Sequence, residues 1–182
     1  MATHPYLHIE ISIDSALRDI VADRFDAGIR LGEQVARDMI AVRIGPDLRM
    51  AAVGSHGYLE QHGTPATPQD LAQHNCINPR LALAGGLYLW ELEKDAHERR
   101  VRVEGRFTSN NPQLVLRAAR AGLGLAFVPE DYAAEDLRKG RLVRVLEDWC
   151  PPFQGYHLYY PSRRQPTAGF TALLEAFRYR AN

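Results

Sequence analysis

The sequence predicts an α/β fold in two lobes, the first assembled from both ends of the chain. Three observations predict it. Strand-like and helix-like periods alternate along most of the 182 residues, the mark of a mixed α/β architecture. Breaks in that pattern fall near residues 53–54 and 153–155. Beyond the second break come one more strand and one more helix, which read as a return to the first lobe. The expected division is 1–53 with 156–182 against 54–155, and the length suffices for two small lobes.

The elements follow in order. Residues 6–13 alternate apolar and polar side chains and read as a strand, and 15–24 as a short helix with Leu17, Ile20 and Val21 on one face. A strand over 25–31 stops at Gly32. Two extended segments, 39–44 and 48–53, flank the turn at Gly45, Pro46 and Asp47. Residues 55–61 form a helix after Gly54. Thr67 and Pro68 open another, threonine as cap and proline in the first turn. Strands are expected at 76–77, 87–92 and 101–107, with an irregular stretch over 78–86. Asn111 and Pro112 open the clearest helix, which puts Leu114, Val115, Ala118 and Ala119 on one face and ends at Gly122. A strand at 123–128, a helix at 130–139 and a strand at 142–146 come next. After Pro151 and Pro152, residues 156–160 are an aromatic strand and 168–179 a helix with Leu173, Leu174 and Phe177 inward.

Composition removes several functions. Lysine plus arginine and aspartate plus glutamate both total 22, whereas a chain gripping a phosphate backbone alone carries a basic excess. No stretch approaches the roughly 20 apolar residues of a membrane span. The N-terminal residues lack the basic-then-apolar order of a secretory signal, so the expected compartment is the cytoplasm. Cys76 and Cys150 match no zinc or redox spacing and read as buried thiols. The seven histidines include no HxxxH pair on a predicted helix, so neither metal nor cofactor is expected. No nucleophile, base and orienting group converge, and no catalytic residue is assigned. Gly122 and Gly124 resemble half a dinucleotide fingerprint, but they follow a helix and precede a strand, the reverse of what that motif needs.

Binding features carry more. Ser12, Asp14 and Ser15 sit at the end of the first predicted strand, where open α/β sheets hold ligands. Asn110, Asn111 and Pro112 put amide groups at a helix start, which either favours an anion or simply caps the helix. Arg80 lies in an irregular stretch, either as a guanidinium fork for a small acid or as a surface arginine. The clusters Arg99, Arg100, Arg102 and Arg163, Arg164 read as solvated faces.

Several segments resemble LysR-type transcriptional regulators. Residues 19–32, DIVADRFDAGIRLG, look like the helix-strand unit of their first lobe. Residues 49–59, RMAAVGSHGYL, are similar to the crossing strand and first helix of the second lobe. Residues 110–129, with LRAA and GLGLAFVP, fit its later half, and 142–166 look like the return crossing. The match covers nearly the whole chain from Pro5 onward, and the subgroup looks like the CrgA-like regulators.

That resemblance implies a type II periplasmic-binding-protein fold with a small metabolite, anions among the candidates, as effector between two lobes. It points to Ser12, Asp14, Asn78, Arg80, Leu87, Ser109, Asn110 and Phe153 as ligand-binding residues. It also implies DNA contact only through an N-terminal winged helix-turn-helix, which these residues lack, and a dimer or tetramer in the full-length protein. The family's first lobe normally opens with a strand and helix before the segment matching 5–13. This lobe is therefore expected to be incomplete, or to be repaired by a partner chain. A transporter's solute-binding protein is the alternative on the same fold, and a small α/β enzyme is disfavoured.

Overall fold

The computed structural model describes residues 7–13, 19–31, 38–80, 87–163 and 165–180. In chain order the elements are β1 (Gly28–Leu31), β2 (Met39–Arg43), β3 (Leu48–Gly54), α1 (His56–His62), a 3-10 helix (Pro68–Gln73), β4 (Cys76–Pro79), β5 (Trp90–Lys94), β6 (His97–Val101) and β7 (Thr108–Ser109). Then come α2 (Pro112–Arg120), β8 (Leu125–Pro129), α3 (Glu130–Arg138), β9 (Val143–Val145), a 3-10 turn (Glu147–Trp149), β10 (Pro152–Phe153), β11 (Tyr156–Pro161) and α4 (Ala168–Phe177). Contacts divide the chain into one unit of 1–47 with 154–182 and another of 48–153. The division falls before β3 rather than after Val53, because β3 is paired along its length with β8, β9 and β10.

The first unit is a three-stranded antiparallel sheet, β1-β11-β2. Leu158 and Tyr160 of β11 meet Phe170 and Leu174 of α4 in one buried cluster. The ring of Phe170 stands edge-on to Tyr160 at 5.1 Å, a favoured aromatic geometry. Thr167 caps α4 by accepting the Phe170 N–H at 3.2 Å. On β1, a Cβ at Gly28 would run into the Tyr159 ring, so only glycine fits there.

Three expectations change in this unit. Residues 7–13 run without strand pairing, with Ile11 and Ile13 75% and 96% exposed. Alternation signals a strand only where a neighbouring edge pairs with it, and none does among the described residues. Residues 19–24 form a turn in which Asp19 accepts the Val21 and Ala22 N–H groups, and Arg24 ends it at φ 60. In α4 it is Phe170 that points inward, while Phe177 is exposed. Tyr6, residues 14–18 and Gly32 lie outside the described residues.

The second unit carries a six-stranded sheet in the order β10-β3-β8-β4-β7, with β9 beside β3. Period-2 alternation splits each central strand between two cores. Ala52, Leu125 and Phe127 face one cluster with Tyr58, Leu71, Trp90 and Leu92. Ala51, Val53, Ala126 and Val128 face the other, under Val115, Leu116 and Ala119 of α2 and Ala133 of α3. Small side chains at Ala51, Ala119, Ala126 and Ala133, all fully buried, let the helices pack close to the sheet. Leu114, expected on the inner face, is exposed, and Leu116 takes its place.

Asn111 caps α2, accepting N–H groups of Gln113 at 2.9 Å and Leu114 at 3.3 Å. Gly122 closes it at φ 76, as the glycine stop requires. A Cβ at Gly124 would collide with the Asn75 carbonyl oxygen, so this turn is steric and not a phosphate cradle. Where strands are expected over 87–92 and 101–107, the chain forms the hairpin β5-β6 up to Val101, residues 102–107 lie in no strand, and the short β7 follows. The hairpin turn places Asp95 and Ala96 at φ 52 and φ 60, the primed geometry usually announced by Asn-Gly or Asp-Gly.

Candidate functional site

The second unit gathers most of the expected ligand-binding residues at one end of its sheet. β4 and β7 run parallel, Asn78 opposite Thr108 and Pro79 opposite Ser109. The carboxyl ends of parallel strands are where α/β sheets receive ligands. Arg80 donates its N–H to the Ser109 carbonyl at 3.0 Å and bridges to Leu87. Tyr88 donates its N–H to Pro79 at 3.0 Å. Asn78, Arg80, Leu87, Ser109 and Asn110 thus converge where β4 and β7 end and α2 begins.

Asn78 is the distinctive member. Its side chain is buried at 2% exposure, and its Oδ1 has no hydrogen-bond partner among the described residues. An unpaired buried acceptor costs about 1–3 kcal/mol, so the fold tolerates it against its own stability. Arg80 and Asn110 are exposed, and Leu87 and Ser109 half-buried. Ser109 Oγ accepts the Asn111 N–H at 3.1 Å. Because Asn111 already takes the first amides of α2, this terminus offers side chains rather than free N–H groups.

Two neighbours were not anticipated. Tyr88 stacks on Phe127 at 6.4 Å and its hydroxyl donates to Glu91 at 3.1 Å; burial pushes that hydroxyl's pKa well up. Trp90 stacks on the same ring at 5.0 Å, fully buried, with its Nε1–H unpaired. Both sit in a stretch whose aromatic content reads equally well as core, so no local spacing marks them.

The remaining expected residues are elsewhere. Phe153 is half-buried on β10, opposite Leu48. It lies at the same end of the sheet but three strand spacings, roughly 14 Å, from β4. Ser12 is exposed in the first unit, and Asp14 lies outside the described residues, as do 81–86.

Other reactive groups are committed to packing. Burial pushes the Cys76 thiol up to about 12, and burial likewise raises Cys150. Tyr58 holds His74 Nδ1 at 3.2 Å and accepts the Asn75 N–H at 2.9 Å, while its ring stacks on His62. Burial first, and the nearby His62 second, lower the His74 pKa. Among the described residues no helix is long and apolar enough to cross a membrane.

The chain matches the LysR substrate binding domain over residues 1–182. It is 49% identical over 176 residues to an inferred transcriptional regulator of Pseudomonas aeruginosa, covering 97% of this chain and 58% of that protein. It is 40% identical over 180 residues to the HTH-type transcriptional regulator PgrR of Escherichia coli, covering 99% and 60%. The chain therefore spans about three fifths of these relatives' length. Among solved structures it is similar to the regulatory domain of AphB from Vibrio vulnificus, with TM-score 0.80, 25% identity, and 98% and 88% coverage. The CrgA regulatory domain of Neisseria meningitidis shares the fold, with TM-score 0.67, 22% identity, and 86% and 76% coverage. The relatives are regulators and not enzymes or transport proteins, and the two α/β units are of the periplasmic-binding-protein type. The chain belongs to the LysR family of transcriptional regulators, of which it is the effector-binding domain.

Proposed function

We propose that this domain senses a small metabolite at the end of β4 and passes its occupancy to a DNA-binding domain. The observation that carries the reading is the buried, unpartnered Oδ1 of Asn78 where β4 ends beside β7. A ligand donor reaching that oxygen recovers the lost hydrogen bond, which rewards binding without any new packing. Arg80 supplies charge for a carboxylate or other anion, Ser109 and Asn110 supply polar contacts, and Leu87 supplies an apolar wall. The family resemblance offers Ser12, Asp14 and Phe153 as ligand contacts as well. The two units act as the two lobes of the family fold. The full-length protein works in the cytoplasm as a dimer or tetramer, and occupancy shifts the balance between its states.

The test is a calorimetric screen of small carboxylates and aromatic acids against the chain, repeated with Asn78→Leu and Arg80→Ala. A ligand is expected to lose about tenfold or more in affinity with either substitution. Unchanged affinity in both variants would place the effector elsewhere.

A further inference from the structure

The second unit has an open cavity at the end opposite the β4 group. β3 begins beside β10 and ends at Gly54, next to this cavity, and α2 runs toward it from its Asn111 cap. The nine residues of α2 put roughly 13 Å of helix between the two places. The cavity measures about 530 Å³ and lies between Ser55 and His56 at the start of α1, Arg120 and Gly122 at the end of α2, and Gly140 and Arg141 before β9.

Its charge is one-sided. Two arginines and a histidine line it, and no carboxylate among the described residues does. The arginines are held from behind by Asp136, whose side chain is only 3% exposed. Arg120 Nε lies 3.0 Å from one Asp136 oxygen and Arg141 Nε 2.6 Å from the other. A single guanidinium gripping both oxygens would neutralise that carboxylate. Here two are spent on it, each through Nε, which leaves the terminal nitrogens of Arg120 and Nη1 of Arg141 for another acceptor, Arg141 Nη2 facing Glu135. Glu135 lies 3.7 Å from Arg141 but is engaged by Lys139 at 2.5 Å.

The walls suit a ligand as well as the charge does. Gly122 and Gly140 have no side chain to fill the space, and φ 76 and φ 66 favour glycine at both positions. Ser55 Oγ accepts the Tyr58 N–H at 3.3 Å, and its own proton remains available to donate outward.

We propose that this cavity binds the phosphoryl group of a small molecule, at a site separate from that of the effector. A tetrahedral oxyanion matches two guanidiniums anchored on one carboxylate, and positions fixed beforehand cost little ordering on binding. The volume exceeds what a bare phosphate fills, so a phosphomonoester with a small organic part fits the space better than the inorganic ion.

The experiment is a titration of the 182-residue chain with inorganic phosphate and with ribose 5-phosphate at constant ionic strength, followed by amide NMR. Chloride and acetate serve as controls. The expected perturbations centre on His56, Gly57, Gly122 and Gly140, are produced by both phosphates and not by the controls, and are stronger with ribose 5-phosphate. Arg120→Gln and Arg141→Gln each weaken binding about tenfold. Perturbations centred elsewhere, equal responses to chloride, or unchanged affinity in both variants overturn the proposal. Should either variant unfold through loss of an Asp136 partner, His56→Ala and the wild-type perturbation map decide alone. A His56→Ala protein with unaltered affinity and a map away from this cavity refutes it.

Discussion

The two units bury their sheets differently. In the second, β3 and β8 are covered on both faces, with Phe127 and Leu125 on one side and Val128 and Ala126 on the other. In the first, Leu158, Tyr160, Phe170 and Leu174 make one small cluster, while Ile29 and Ile40 stay 52% and 39% exposed on the flanking strands. Apolar burial is the main favourable term in folding, so the second unit should be the more stable body and the first the more easily opened. The difference teaches that one chain can carry a rigid half and a soft half.

The largest test of that contrast is the aromatic stack. Phe127→Ala removes a fully buried ring that touches both Tyr88 and Trp90 and should cost about 3–5 kcal/mol. Phe170→Ala in the first unit should cost about 3 kcal/mol, the low end of that range. Urea unfolding followed by circular dichroism reads both, and equal losses would break the contrast.

Thiol labelling sharpens it. Both cysteines lie in the first core of the second unit, and a pKa of about 12 leaves Cys76 almost no thiolate near neutral pH. In rising urea, loss of the tyrosine near-ultraviolet signal from the first unit should precede thiol reaction, with labelling rates in native buffer at least tenfold below those of the unfolded chain. Thiols that react first would reverse the ranking.

A smaller effect is pH-dependent and belongs to the second unit alone. Folding lowers the His74 pKa below the ordinary 6.5, mainly by burial and then by His62, with Asp70 opposing. As pH falls through about 6.5 the unfolded chain takes up this proton first. The histidine's share of stability is therefore complete above that pH and is lost on acidification. His74→Asn should flatten the slope of urea midpoint against pH between 5 and 7, and an unchanged slope would assign it to other groups.

The smallest expected change is at Asn78. Leucine there keeps the branching and removes the unpaired Oδ1, while its bulkier methyl groups crowd a filled site at a similar cost, so Asn78→Leu should shift stability by less than about 1 kcal/mol in either direction. A loss of several kcal/mol would mean that the amide supports the fold rather than a ligand.

Legibility did not follow the same divide. The run from Asn111 to Pro129 was readable because cap, proline, apolar face and glycine stop agree locally. The β5-β6 hairpin was not, since its Asp95-Ala96 turn lacks the glycine that normally announces positive φ. Residues 7–13 show the opposite failure, a strand pattern without a pairing edge. At the candidate site, the family resemblance pointed to Asn78 and the irregular stretch to Arg80, while strand-end logic led to Ser12 and Asp14; Tyr88 and Trp90 looked like ordinary core. The arginine cavity left no sequence trace, because Arg120 joins the local pair Asp136 and Arg141 only through the packing of α2 against α3.

The placement of the tryptophans has an optical consequence. The chain holds two, Trp90 and Trp149, and both belong to the second unit. Trp90 is sealed from water against Phe127, whereas Trp149 lies 5.7 Å below the Lys94 ammonium. Intrinsic emission from this protein should therefore have a blue, shielded component and a second one sensitive to a nearby charge. Neither reports on the first unit, which remains dark to any tryptophan measurement.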